Sequence, residues 1–149
     1  MLYKELKKIA LNDLYSYYYM QNSLETLPKE ISMLKESALY RSPSVGNGVM
    51  CSKTSDGPII KLLSRIENLE NQLEYNRIRL QNIDCALNAL RTSQRDILFD
   101  YYIRRHRKSV CRLAIDSHTD RSALYRRANR ALDKYILAFF GTMGDKNAL

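Results

Sequence analysis

Residues 87–140, LNALRTSQRDILFDYYIRRHRKSVCRLAIDSHTDRSALYRRANRALDKYILAFF, decide the fold. They read as three helices, the last two joined by a short turn. The spacing predicts a first helix from Ser93, whose hydroxyl can cap free backbone N–H groups, with Asp96 in the favourable first turn. Ile97, Leu98, Tyr101 and Tyr102 give that helix one apolar face. A basic connection follows, Arg104-Arg105-His106-Arg107-Lys108. Ser109 is placed to cap a second helix that turns Val110, Leu113 and Ala114 inward. Ser117, His118 and Thr119 then break the apolar pattern and read as a turn, because short polar side chains compete locally for backbone hydrogen bonds.

Asp120 is the expected N-cap of the third helix. Leu124, Ala128, Ala131, Leu132 and Tyr135 fall on its inward face. The outward face carries Arg121, Ser122, Tyr125, Arg126, Asn129 and Arg130, with Arg127 at its flank. Such side chains hydrogen-bond base edges and phosphates, and a helix presenting them after a short turn suits a DNA major groove. We therefore take Arg121, Ser122, Tyr125, Arg126 and Asn129 as candidate base contacts, led by Arg126 and Arg121. Arg104, Arg105, Arg107, Lys108, Arg127 and Arg130 are candidate phosphate contacts, since most protein–DNA hydrogen bonds go to the backbone.

Working outward, residues 59–90 form the most regular stretch. Ile59, Ile66, Leu73, Leu80 and Leu87 occupy one heptad position, and Leu62, Leu69, Asn76, Ile83 and Leu90 the other. No Gly or Pro interrupts them, so a helix of roughly 48 Å is expected at about 1.5 Å per residue. A seam of this length needs a partner, either the N-terminal segment folded back or a second copy of the chain. A single polar Asn in such a seam commonly fixes register or partner number.

Residues 1–40 carry a matching stripe of Tyr17, Met20, Leu24, Leu27, Ile31, Leu34 and Ala38. It continues backwards through Asp13, Ala10, Leu6 and Tyr3, where Asp13 weakens it. Pro28 predicts a kink or a break, with Thr26 capping a second helix, because a proline deep in a helix costs roughly 3 kcal/mol. Residues 41–58 read as a linker rich in Pro, Gly and Ser, and residues 141–149 as a fraying tail. Residues 91–140 complete the division as the helix-turn-helix domain. The fold class expected is all-α: an N-terminal helical hairpin or coiled coil with one long helix, then the helix-turn-helix.

The net charge of +8 is concentrated in one region. Residues 1–90 hold 11 Lys/Arg and 10 Asp/Glu, whereas Arg91–Tyr135 holds 12 against five, a balance of +7. A basic field of this kind attracts a polyanion and weakens with salt. No run of about 18 apolar residues exists, so no membrane span is expected. Charged Lys4, Glu5, Lys7 and Lys8 argue against a signal peptide. Cys51, Cys85 and Cys111 lack metal-ligand or disulfide spacing, which argues for a reducing, cytoplasmic setting. His106 and His118 have no ligand partner at binding spacing, and Cys111 reads as a small apolar filler. Neither cofactor nor metal is expected. No serine elbow, Walker loop or HExxH is present, so an enzyme is not expected. The tyrosines Tyr15, Tyr17, Tyr18 and Tyr19 lie in the charge-balanced half and read as packing residues.

The chain resembles region 4 of sigma-70-type factors and, more closely, the ArpU/RinA-like regulators of phage late transcription. The shared features are Leu87-x-x-Leu90, Ile97-Leu98, Tyr102-Ile103, Leu113-Ala114, Leu124-Tyr125-Arg126 and Ala131-Leu132. The Leu- and Tyr-rich N-terminal segment, the Ser/Pro linker and the long helix extend the resemblance over most of the chain. The family has an apolar residue, a Gly and another apolar residue where this chain has Ser117, His118 and Thr119, and a Ser where it has Asp120.

The resemblance implies a phage- or prophage-encoded regulator of late genes, acting on double-stranded DNA in a bacterial cytoplasm. It also implies host RNA polymerase as a candidate partner, and the long helix implies a homo-oligomer, a dimer being favoured. Without room for the other sigma regions, the chain is not expected to melt a promoter. A small terminase-like packaging subunit and a structural coiled-coil adaptor are the alternative readings.

Overall fold

The computed structural model describes residues 1–41, 56–104 and 109–147. It is all-α. Helix α1 spans Leu2–Arg41 and α2 spans Asp56–Asn88. Helix α3, Thr92–Leu98, runs on into a single π-helical turn, Phe99–Ile103. Helix α4, Val110–Asp116, and α5, Arg121–Phe140, follow, and a 3-10 turn at Gly141–Gly144 closes the chain. Helices α1 and α2 pack as an antiparallel hairpin within one chain.

The expected seam residues are the ones removed from solvent. On α2, Ile66, Asn76, Leu80, Ile83 and Leu87 are buried and Ile59, Leu62, Leu69 and Leu73 are half-buried, as is Leu90 just beyond its end. On α1 the matching stripe is buried or half-buried at every position from Tyr3 to Ala38, Asp13 included. The seam is therefore covered inside the chain, and a second copy is not needed to bury it.

Two compact units make up the chain: Met1–Tyr19 with Arg79–Leu149, and Met20–Ile78. In the second unit, Asn76 donates from Nδ2 to Ser23 Oγ (2.8 Å) and accepts from Gln72 Nε2 (2.8 Å). Ser23 in turn donates to the Met20 carbonyl (2.6 Å). The one polar residue of the seam is thus satisfied by partners on both helices, as a buried amide must be. Lys35–Glu70 (2.6 Å) and Arg65–Glu30 (3.6 Å) flank it in solvent, where such pairs contribute little.

Of the kink or break expected at Pro28, the break does not occur. Helix α1 continues through it, and Thr26 caps nothing. The missing N–H costs roughly 3 kcal/mol, but burial of Ile31 and partial burial of Leu24, Leu27 and Leu34 outweigh it at about 1.5–3 kcal/mol per fully buried side chain. Tertiary packing here overrides local propensity. The expected linker also proves too long at its C-terminal end, because α2 begins at Asp56. Pro58 then lies in the first turn, where its missing N–H would have no partner anyway. What remains of that linker lies outside the described residues.

The first unit holds most of the core. Leu6, Ala10 and Leu14 of α1 are buried, as are Leu80, Ile83, Ala86 and Leu87 of α2. Leu98, Tyr101, Tyr102 and Ile103 join them, with Leu113 and Ala114 of α4 and Leu124, Ala128, Ala131, Leu132, Tyr135 and Ile136 of α5. The start of α3 differs from expectation. Arg91 is the N-cap, its N–H received by the Gln94 side chain at 3.3 Å, and Ser93 lies within the first turn. The π turn is closed by Arg104 N–H to Phe99 O at 2.7 Å, and Tyr101, Tyr102 and Ile103 are buried in succession along it.

Polar contacts tie α1 into this unit. Arg79 grips Asp13 with two bonds, Nε at 3.0 Å and Nη2 at 2.6 Å, while its guanidinium lies 4.8 Å from the Phe139 ring centroid. Tyr17 donates to Asp84 at 2.7 Å and meets Phe99 edge-on. Tyr3 donates to Asp133, which also takes Lys146 at 2.6 Å. The tail is therefore held, not frayed, as far as Lys146. Gly144 is buried, and a Cβ there would stand 2.5 Å from the Ile136 carbonyl oxygen.

Candidate nucleic-acid interface

The turn before α5 is built by the backbone. Helix α4 starts at Ser109, whose hydroxyl accepts the Arg112 N–H at 3.2 Å, as the sequence implies. It ends in a Schellman motif. Thr119 N–H reaches the Ala114 carbonyl (3.0 Å) and His118 N–H the Ile115 carbonyl (3.1 Å). The motif requires a left-handed residue, and His118 supplies it with φ of 52°. Ser117 Oγ adds a bond to the Leu113 carbonyl (2.6 Å), and Thr119 Oγ1 one to Ser117 Oγ (2.7 Å).

Asp120 is the N-cap of α5, in extended conformation, and receives the Ser122 hydroxyl. From this anchor the helix turns as its sequence dictates. Leu124, Ala128, Ala131, Leu132 and Tyr135 are buried, while Arg121, Ser122, Tyr125, Arg126, Arg127 and Arg130 are exposed and Asn129 is half-buried. All five candidate base-contact residues thus fall on one side of the helix. Among the described residues no carboxylate lies within ion-pair distance of Arg121, Arg126, Arg127 or Arg130. Arg126 directs Nε to the Ser122 carbonyl of its own helix, at 3.3 Å. That bond lies in solvent and is cheap to exchange.

The other candidate cations divide. Arg104 is engaged: Nε meets Tyr18 Oη at 3.1 Å, Nη1 meets Asp100 at 3.4 Å, and the guanidinium lies 5.5 Å from the Phe99 centroid. The hydrogen bond that Arg104 donates to Tyr18 leads the causes that raise its pKa. Arg127 lines a cleft of about 270 Å³ whose walls also include Asp96 and Asp100. Arg105, Arg107, Lys108 and His106 lie outside the described residues, as does Cys51. Cys111 is exposed and is not the apolar filler its position suggested.

Of the N-terminal tyrosines, Tyr17 is buried and Tyr18 half-buried, while Tyr15 and Tyr19 are exposed. Tyr15 packs on Tyr102, with ring centroids 6.3 Å apart. Among the described residues no cluster of His, Cys, Asp and Glu could hold a metal ion, and no helix is long and apolar enough to cross a membrane.

The C-terminal half of α5 is lined differently. Asp133 is held by Lys146 and Tyr3, and a cavity of about 340 Å³ opens beside it. Burial pushes the Asp133 carboxyl up, but the hydrogen bonds from Lys146 and Tyr3, with the charges of Lys146 and Lys7, outweigh it and leave the pKa below the ordinary carboxylate value. Sequence reading missed this part of the unit, because nothing in the spacing of Tyr3, Asp133 and Lys146 brings them together. Comparison with protein-family models, with curated proteins and with solved structures finds no match.

Proposed function

We propose that the chain is a sequence-specific, double-stranded DNA-binding transcriptional regulator that inserts the N-terminal half of α5 into the major groove. One observation carries the reading. Arg121, Ser122, Tyr125, Arg126 and Asn129 share a single face, whose two arginines have no carboxylate within ion-pair distance among the described residues, behind a turn fixed by backbone hydrogen bonds. Residues 121–130 extend about 14 Å along the helix, close to the roughly 12 Å width of the groove. Arginine forks match guanine edges, Asn matches adenine, and the surrounding +7 field supplies the sequence-independent attraction.

The resemblance to phage late-transcription regulators makes activation of late genes the favoured role, with host RNA polymerase as the second partner. A homo-dimer belongs to the same proposal, on a surface other than the seam already filled by α1.

The test is selection of bound duplexes from a random-sequence pool at near-physiological salt. Enrichment of one motif is the expected result. Retention of DNA with no motif would reduce the chain to an electrostatic binder. Absence of binding would remove the regulator reading and leave the structural adaptor. A ring-like assembly on packaging-site DNA would favour the terminase-like reading.

A further inference from the structure

We infer that the cavity beside the C-terminal half of α5 is a phosphate clamp, in which Lys134 and Arg130, with Lys146, hold one backbone phosphodiester flanking the bases that α5 reads. The inference rests on the proposed groove reading and adds to it residues that the sequence did not single out, Lys134 and Lys146.

Charge comes first. The cavity is lined by Arg130, Lys134, Lys146, Asp133 and Asp145, a balance of one positive charge. Lys146 is matched to Asp133 at 2.6 Å, and the Asp133 pKa, lowered by this contact, keeps that pair ionised. One Asp145 oxygen accepts the Asn147 N–H at 2.9 Å. Arg130 and Lys134 are exposed and have no ion-pair partner among the described residues. A phosphodiester carries a single negative charge and so fits the surplus. Gln94 also lines the cavity and gives its amide oxygen to Arg91 N–H, which leaves its amide N–H groups as neutral donors.

Position comes second. Arg130 and Lys134 are one helical turn apart on α5. Lys134 lies eight residues beyond Arg126, about 12 Å along the axis, and 13 beyond Arg121, about 20 Å. The major groove is roughly 12 Å wide and 8.5 Å deep. With Arg121–Arg126 at base edges, Lys134 emerges at the lip of the groove, where the sugar–phosphate chain runs. Contacts there fix orientation without reading sequence.

The test is duplex affinity against salt concentration for wild type, Lys134→Gln and Arg130→Gln, on the selected site or on a fixed mixed-sequence duplex. Lys134→Gln removes an exposed side chain and leaves the Lys146–Asp133–Tyr3 contacts intact. The log–log salt slope should fall by about 0.9, so the drop in affinity between about 50 and 200 mM salt becomes roughly three- to four-fold smaller. The enriched motif should not change. Trimming base pairs from the flank should weaken wild type more than Lys134→Gln.

An unchanged slope with wild-type binding intact overturns the clamp and leaves the groove reading standing. No binding by wild type overturns the groove reading, and the clamp with it. Inorganic phosphate at constant ionic strength is the last arm. Lys134-dependent competition between phosphate and DNA would support the clamp, whereas phosphate bound at Lys134 with DNA affinity unaffected would mark a free-phosphate site and overturn the assignment to the duplex.

Discussion

His118 offers the sharpest test of how the turn is built. Its φ of 52° lies in the left-handed region, and the Schellman bonds on either side depend on that conformation. An L-residue there costs roughly 1–2 kcal/mol, because its Cβ crowds the neighbouring carbonyl. His is among the residues that tolerate it best, which places the cost at the lower end. Glycine removes the crowding but loses roughly 0.5–1 kcal/mol through the greater freedom of its unfolded chain.

The His118 side chain is exposed and has no hydrogen bond among the described residues to lose. His118→Gly should therefore raise stability only slightly, by about 0–0.5 kcal/mol, the difference between the crowding relieved and the chain freedom lost. His118→Ala should be near neutral, and His118→Val should be destabilising, since a β-branched residue at positive φ is a steric outlier. Urea unfolding followed by helical circular dichroism would rank the four proteins Gly level with or slightly above His, His near Ala, and Val last. Val equal to wild type, or Gly clearly destabilised, would refute the left-handed turn.

Two further predictions concern the first unit. Asp13→Ala leaves Arg79 without its carboxylate, and because Arg79 keeps 22% exposure the cost should be about 2–3 kcal/mol, below the roughly 3–5 typical of sealed pairs. Replacing both groups, Asp13→Leu with Arg79→Met, should recover most of that loss in urea unfolding; a single variant within error of wild type would contradict the account. Burial first, then the carboxylates Asp133 and Asp84 beside Tyr3 and Tyr17, raise the pKa of those phenols, and burial does the same for Tyr102 and Tyr135. A raised folded pKa contributes stability that is fully present below the ordinary value of about 10 and is lost as pH climbs above it. An alkaline titration should show these tyrosines ionising together with helix loss and after the exposed ones; a single titration near pH 10 with helices intact would count against their burial.

Periodicity made much of the structure legible. The seam positions on α1 and α2, the buried face of α5 and the Ser109 cap all follow from spacing and side-chain chemistry, and each is found. The misreadings have physical causes. Pro28 spoke for a kink or a break, and the break is absent because packing of the surrounding stripe outweighs one lost hydrogen bond. Asp13 looked like a fault in the stripe because its partner Arg79 is 66 residues away. Ser93 was a better cap by type than Arg91, yet Gln94 reaches back to Arg91 and fixes the start of α3 there. The candidate DNA face was legible because a helix displays its sequence directly. The cavity by Lys134 was not, since it is assembled from α1, α3, α5 and the tail.

The most direct measurement of the central claim is the affinity of wild type and Arg126→Ala for every single-base variant of the selected site. If α5 reads the groove, wild type should penalise changes across the site, and Arg126→Ala should lose discrimination at one base pair, worth roughly 1–3 kcal/mol, with the rest of the profile kept. A uniform loss of affinity, with the profile unaltered at every position, would assign Arg126 to the phosphate backbone and contradict the reading.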